Sequence, residues 1–292
     1  MYKQLIALFL FLFIFSGCER MLFHPDHHVY RTPDHYQLSY EEIHFRSKDE
    51  TLLHGWWLKP KEESKGLMVV VHGNAQNLTS HFESWVWLVE AGYELFIFDY
   101  RGYGASEGEV DIEMAIEDTD AALHYAQEHY NGDLFACGQS LGGMLLINSL
   151  AKEPYPAYRF VIIDSTYSDL EEMGKELLSR SFITWPFQWL AYPLLSDNYN
   201  PIDKLNEIER PLLFVAGSED AIISPNQSWQ LFHAASRPKE LWVVPGAEHI
   251  SALNVEGVQE TLLHYMKDFP DHSAPSTLKI FDNLDKITEI KE

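Results

Sequence analysis

From Gly66 onward, short unbroken apolar runs alternate with stretches whose apolar residues recur every three or four positions. The runs occupy residues 67–71, 94–98, 134–137, 160–163, 212–215 and 241–244. Runs of this length without polar alternation suit strands covered on both faces, so the pattern predicts an α/β fold with a parallel sheet between two helical layers. Upstream, residues 42–47 and 52–59 read as an antiparallel hairpin turning at Ser47-Lys48-Asp49-Glu50. It would lie at the sheet edge. The hairpin and the six parallel strands together predict eight strands.

The helices between the runs have legible limits. Ser80-His81-Phe82-Glu83 has the form of a capping box, with Trp85, Leu88 and Val89 behind it and Gly92 as its stop. Ile112, Ala115, Ile116, Thr119, Ala122, Leu123 and Ala126 share one helical face that ends before Asn131-Gly132. Further helices are expected over 141–150, 226–235 and 254–269. One interval breaks the alternation: about 45 residues separate the fourth run from the fifth, far more than a crossover requires. That insertion, about 166–205, reads as a small helical lid or as an amphipathic insertion packed on the sheet edge, and it carries Trp185, Phe187, Trp189 and Tyr192. The polar segment 270–292 reads as a mobile tail, although Leu278, Phe281, Leu284 and Ile287 have the spacing of a short docking helix.

The amino-terminal end has a different character. Lys3 precedes an apolar run over 5–15, which is short for a membrane span and fits the core of a signal peptide. Phe15-Ser16-Gly17-Cys18 follows and resembles a bacterial lipobox, with Phe15 where leucine is more usual. The resemblance implies a signal peptide over 1–17 and a mature chain beginning at a lipidated Cys18. It implies a lipid-anchored protein of the bacterial cell envelope, and Glu19 favours the outer membrane where one exists. Residues 18–41 would then be a stalk laid against the main domain. Its histidines His24, His27, His28 and His35 lack the spacing of a metal site, so no metal is expected there. With Cys18 acylated, Cys137 has no disulfide partner. A net charge of −23 would repel phosphate backbones, which excludes a nucleic-acid partner.

The third run ends in Gly138-Gln139-Ser140-Leu141-Gly142. A G-x-S-x-G between a buried strand and a helix is a nucleophile elbow, in which the serine occupies a strained turn above the carboxyl edge of the sheet. Gly138 and Gly142 would leave room where strand and helix cross. Two other runs also end in chemistry: Gly217-Ser218-Glu219-Asp220 after the fifth, and Pro245-Gly246-Ala247-Glu248-His249 after the sixth. In order and spacing, Ser140, Asp220 and His249 resemble the triad of the α/β-hydrolase superfamily, in particular its small-lidded serine esterase-like members. The resemblance covers residues 42–269. It implies Ser140 as nucleophile, His249 as general base and Asp220 as the acid that orients it, with Glu219 as the competing acid. His72-Gly73-Asn74-Ala75 resembles the family's oxyanion loop, which implies that the amides of Asn74 and Leu141 bind the developing oxyanion, with Ala75 as the alternative to Asn74. His72 would be a structural prop. Asp99-Tyr100-Arg101-Gly102-Tyr103-Gly104 matches a family turn, with Asp99 and Arg101 read as ion-pair residues and Tyr103 as a pocket wall.

The expected activity is hydrolysis of carboxylic esters through an acyl-enzyme, with no cofactor. A small-molecule or acyl ester would be the substrate. The same three residues would serve a thioesterase, a peptidase-like acyl hydrolase or an acyl-transferring enzyme, and the fold without turnover would serve as an envelope scaffold lipoprotein.

Overall fold

The computed structural model describes residues 23–179, 198–236, 238–268, 277–283 and 286–291, together with Pro186 and Trp189. Its strands are β1 (His24–Pro25), β2 (Ser39–Arg46), β3 (Leu52–Lys59), β4 (Leu67–Val71), β5 (Ala75–Gln76), β6 (Glu94–Asp99), β7 (Leu134–Gln139), β8 (Tyr158–Asp164), β9 (Leu212–Gly217), β10 (Lys239–Val244), β11 (Thr277–Asn283) and β12 (Lys286–Lys291). Ten of them form one sheet in the order β12-β11-β10-β9-β8-β7-β4-β6-β3-β2. From β6 to β11 neighbours run parallel, while β2 and β3 at one edge and β12 at the other are antiparallel. The six apolar runs are all central strands. Alternate residues of each feed two cores, so Val69 and Val71 pack on one face of the sheet while Met68 and Val70 pack on the other.

The helices are α1 (Leu78–His81), α2 (Val86–Glu90), α3 (Ile112–His129), α4 (Leu141–Lys152), α5 (Leu170–Ser179), α6 (Pro201–Lys204), α7 (Pro225–Ala234) and α8 (Glu256–Lys267). Asp111 caps α3 through its side chain, which accepts from the Met114 amide. At α1 the expected capping box is not formed. Asn77 caps that helix instead, accepting from Thr79 N at 3.0 Å, whereas Glu83 turns to Arg31 and the Tyr36 hydroxyl.

Two corrections concern the carboxyl-terminal tail and the strand count. Among the described residues the tail is strand in place of the docking helix: β11 adds parallel to β10 and β12 folds back on it, so the sheet has ten described strands in place of eight. The reason is an open edge. Unpaired N–H and C=O groups along β10 offer a template, and Leu278 and Phe281 bury themselves there, with the Phe281 ring against Trp242. In the insertion, α5 begins where a lid helix was expected, and Trp189 is 63% exposed. Trp185, Phe187, Tyr192 and Leu284 lie outside the described residues, as do Cys18 and the apolar run before it.

Candidate active site

Ser140 sits between the last residue of β7 and the first of α4, with φ 53° and ψ −118°. A side-chain-bearing residue in that region costs about 1–3 kcal/mol and persists only where its surroundings fix it. The Ser140 amide donates to Asp164 O at 2.9 Å, and the Thr166 hydroxyl donates to Ser140 O at 3.0 Å. The flanking glycines are sterically required. A Cβ on Gly142 would stand 2.0 Å from Val71 O, and one on Gly138 would stand 2.6 Å from the Gly143 Cα.

Asp220 and His249 reach the same edge from β9 and β10. Their loops approach so closely that a Cβ on Gly217 would lie 2.3 Å from Ala247 O. This explains the glycine that opens Gly217-Ser218-Glu219-Asp220. His249 Nδ1 lies 2.7 Å from Asp220 Oδ2, and the amides of Ile222 and Ile223 both donate to Asp220 Oδ1 at 2.8 Å. Every oxygen of that buried carboxylate is therefore engaged. Glu219, by contrast, is exposed.

Ser140, Leu141, Asn74, Ala75 and His249 all line one cavity of about 450 Å³. Its remaining walls are largely apolar, from Tyr167, Leu170, Met173, Ile222, Ile223 and Ile250. No carboxylate is among the described lining residues. A larger groove, about 690 Å³, lies between the tip of the β2–β3 hairpin and α3, and several of its charges pair with one another, as in the Lys152–Glu117 pair at 2.7 Å and the His124–Glu153 pair. Among the described residues no cluster of His, Cys, Asp or Glu could hold a metal ion.

The loop at Gly73, Asn74 and Ala75 is held from behind by a network in which His72 is the structural prop expected of it, while His81 and Tyr103 were not read in that role. His72, fully buried, donates from Nδ1 to Gly73 O at 2.7 Å, and its Nε2 lies 3.2 Å from Asp99. The Tyr103 hydroxyl donates to Asn74 O at 2.7 Å. Tyr103 is therefore buried behind the loop and is not a wall of the cavity, and burial pushes its hydroxyl pKa upward. His81 donates from Nε2 to Ala75 O at 2.8 Å and stacks on His72, with ring centres 5.0 Å apart. Burial and the neighbouring His72 lower its pKa to about 3, so it stays neutral at working pH.

His24, assigned to the stalk, also lines the cavity. Its amide donates to Asn74 Oδ1 at 2.9 Å and to the Tyr103 hydroxyl at 3.1 Å, while β1 pairs with β5 beside it. Arg101 forms the expected ion pairs, with Asp118 and Asp49 each at 2.7 Å, and fastens the hairpin turn to the turn after β6.

A second carboxylate lies under the elbow. Asp164 is fully buried and accepts from Gln139 Nε2 at 2.9 Å and from the Ser165 hydroxyl at 3.1 Å. Burial raises its pKa to about 6, with Gln139 and His249 opposing the rise and Asp220 adding to it. An Asp at the carboxyl end of a strand was as visible in sequence as Asp220, but no motif accompanied it.

Comparison with known proteins places this arrangement in context. Residues 62–201 match the family described as serine aminopeptidase, S33. The chain is 30% identical over 278 residues to YfhR of Salmonella typhi, spanning 86% of this chain and 90% of that protein. It is 28% identical over 218 residues to the alpha/beta hydrolase domain-containing protein WAV2 of Arabidopsis thaliana, covering 70% of each. An esterase of Pyrococcus furiosus superposes with a TM-score of 0.69 at 20% identity, over 85% of this chain and 98% of that one.

Proposed function

The chain belongs to the α/β-hydrolase superfamily, and from that premise we propose that it is a serine hydrolase cleaving carboxylic esters through an acyl-enzyme intermediate. The observation that carries the reading is the convergence of Ser140 and an Asp220-paired His249 on one apolar cavity. The hydrogen bond to Asp220 holds the proton on Nδ1 and leaves Nε2 free to take the Ser140 proton. Ser140 Oγ attacks the acyl carbon, and His249 returns the proton to the departing alkoxide. Water then attacks the acyl-enzyme by the same route, releasing the acid and restoring Ser140. The Asp220 carboxylate, fixed by two amides, stabilises the imidazolium formed in each half.

The oxyanion needs donors already in position. Leu141 is the first residue of α4, so its amide has no intrahelical acceptor by its place in the helix. In a trans peptide the C=O and the next N–H point in opposite directions. With Gly73 O turned to His72, the Asn74 amide points away from that buried ring and supplies the second donor.

Hydrolysis of a p-nitrophenyl ester series by the wild type and Ser140→Ala tests this reading. Turnover by the wild type alone supports it. A folded wild type that cleaves no ester in the series would remove the ester assignment.

We also propose attachment of the chain to a bacterial envelope membrane through acylated Cys18. A Cys18→Ala variant with unchanged mass that still fractionates with membranes would refute that attachment.

A further inference from the structure

We infer that the cavity is filled from the bilayer: its occupant is the acyl chain of a membrane-resident ester, and the amino-terminal anchor holds the cavity mouth at the membrane surface. This rests on the ester-hydrolase reading and on attachment at Cys18. It begins from where the chain enters the domain. Phe23 is buried in the core with its ring edge-on to Tyr103, and His24 lines the cavity itself. Asp26 O then accepts from the Gly104 amide and from Asn77 Nδ2, both at 2.9 Å. The entry point is therefore fastened to the wall of the active site at several places.

Five Cα–Cα steps separate Cys18 from Phe23, and covalent geometry limits them to about 18 Å. A domain of this length has a radius of gyration of about 19 Å, hence a diameter much greater than the tether. An acyl group on Cys18 cannot coexist with a cavity on the far side of the protein from the membrane. The mouth is confined to the membrane-proximal side.

Surface chemistry agrees with this orientation. Among the described residues, three of the five large exposed apolar side chains are Val29 at 59% and Tyr30 at 37%, both on the entering segment, and Ile222 at 51% on the cavity rim, the others being Trp189 in the insertion and Met114 on α3. The cavity behind Ile222 is walled by Leu170, Met173 and Ile223, which suit a hydrocarbon chain. An acyl chain leaving a bilayer for such a cavity exchanges one apolar environment for another. A water-dissolved long-chain ester is scarce, so proximity to the membrane supplies the substrate concentration.

The test uses the full, acylated chain in phosphatidylcholine vesicles with two substrates: 4-methylumbelliferyl oleate dissolved in the bilayer and p-nitrophenyl acetate in water. A variant with twenty Gly/Ser residues inserted after Arg20 releases the mouth from the surface. The expected result is at least a fivefold slower cleavage of the oleate with acetate turnover unchanged. Equal oleate rates for the two tethers would overturn the inference.

Orientation is measured independently of activity with a fluorophore on Ile222→Cys or on Glu63→Cys, the latter exposed in the loop that enters β4, at the amino ends of the parallel strands and so at the end opposite the cavity. Cys137 is buried and does not compete for label. Headgroup-level nitroxide lipids should quench the label at 222 more strongly than that at 63. Equal or reversed quenching would overturn the inference, as would a chain carrying no acyl group and remaining off the vesicles. If neither ester is cleaved while the 222 label is quenched, the ester reading fails and the orientation stands.

Discussion

The two sides of the cavity are built by different means. On one side Ser140, Asp220 and His249 each follow a central parallel strand, so sheet register and the closely packed loops after β9 and β10 bring residues 140, 220 and 249 to one edge. On the other side the loop at Gly73, Asn74 and Ala75 is held by His72, His81, Tyr103 and the entering segment at His24, through hydrogen bonds spanning up to 79 residues. The first side is fixed by the fold, the second by a few polar contacts. In the proposed mechanism the reacting groups stand on the first, while the second is where amides can be tuned and where the chain outside the domain can act on the site.

Substitutions can break this contrast. The largest effect is expected from Ser140→Ala, which should lower kcat by roughly 10⁵–10⁶-fold while the protein remains folded, measured by ester hydrolysis beside circular dichroism. Asp220→Asn should follow, with a loss of roughly 10³–10⁴-fold, because an amide facing Nδ1 favours the wrong imidazole tautomer. If Asp220→Asn matched the wild type while Glu219→Gln lost activity, the acid would have been misassigned.

Asp164→Asn bears on stability. Its carboxyl pKa is raised to about 6 in the fold from an ordinary 3.8, so between those values the native protein holds a proton that the unfolded chain has lost. Stability from this group therefore falls as pH rises through that window, and the cost is fully present above about pH 6. Relative to wild type, the Asn variant should gain on the order of 3 kcal/mol between pH 4 and pH 7, read by urea unfolding at each pH. A pH-independent difference would contradict the raised pKa.

The smallest effect is expected at the second side. Tyr103→Phe removes the hydroxyl that holds Asn74 O, and should reduce kcat about tenfold with little change in KM. An equal fall in kcat/KM arising wholly from KM would instead place Tyr103 in substrate binding.

What was legible in sequence follows the same division. The central strands were visible because both their faces are buried, and the candidate triad because each member follows such a strand beside a glycine, required sterically at Gly138, Gly142 and Gly217 and by its positive φ of 74° at Gly246. The strands at residues 277–283 and 286–291 were not. Leu278, Phe281, Leu284 and Ile287 recur every three residues, which imitates a helix, and only the open edge of β10 selects the extended form. The cap at Asn77 was hidden by a stronger-looking Ser80-to-Glu83 pattern, whose Glu83 is taken by Arg31 and Tyr36 from the entering segment. Tyr103, read as a pocket wall from its turn, and His24, read as part of a stalk, gave no local sign of the roles they have, which arise from partners 29 and 50 positions away.

The most direct test of the account is reaction of the folded wild type with a fluorophosphonate, followed by peptide mass mapping. The account predicts one adduct per chain on Ser140, absent in Ser140→Ala and formed far more slowly in His249→Ala. A folded wild type that stays unlabelled, or an adduct on any other residue, would contradict it.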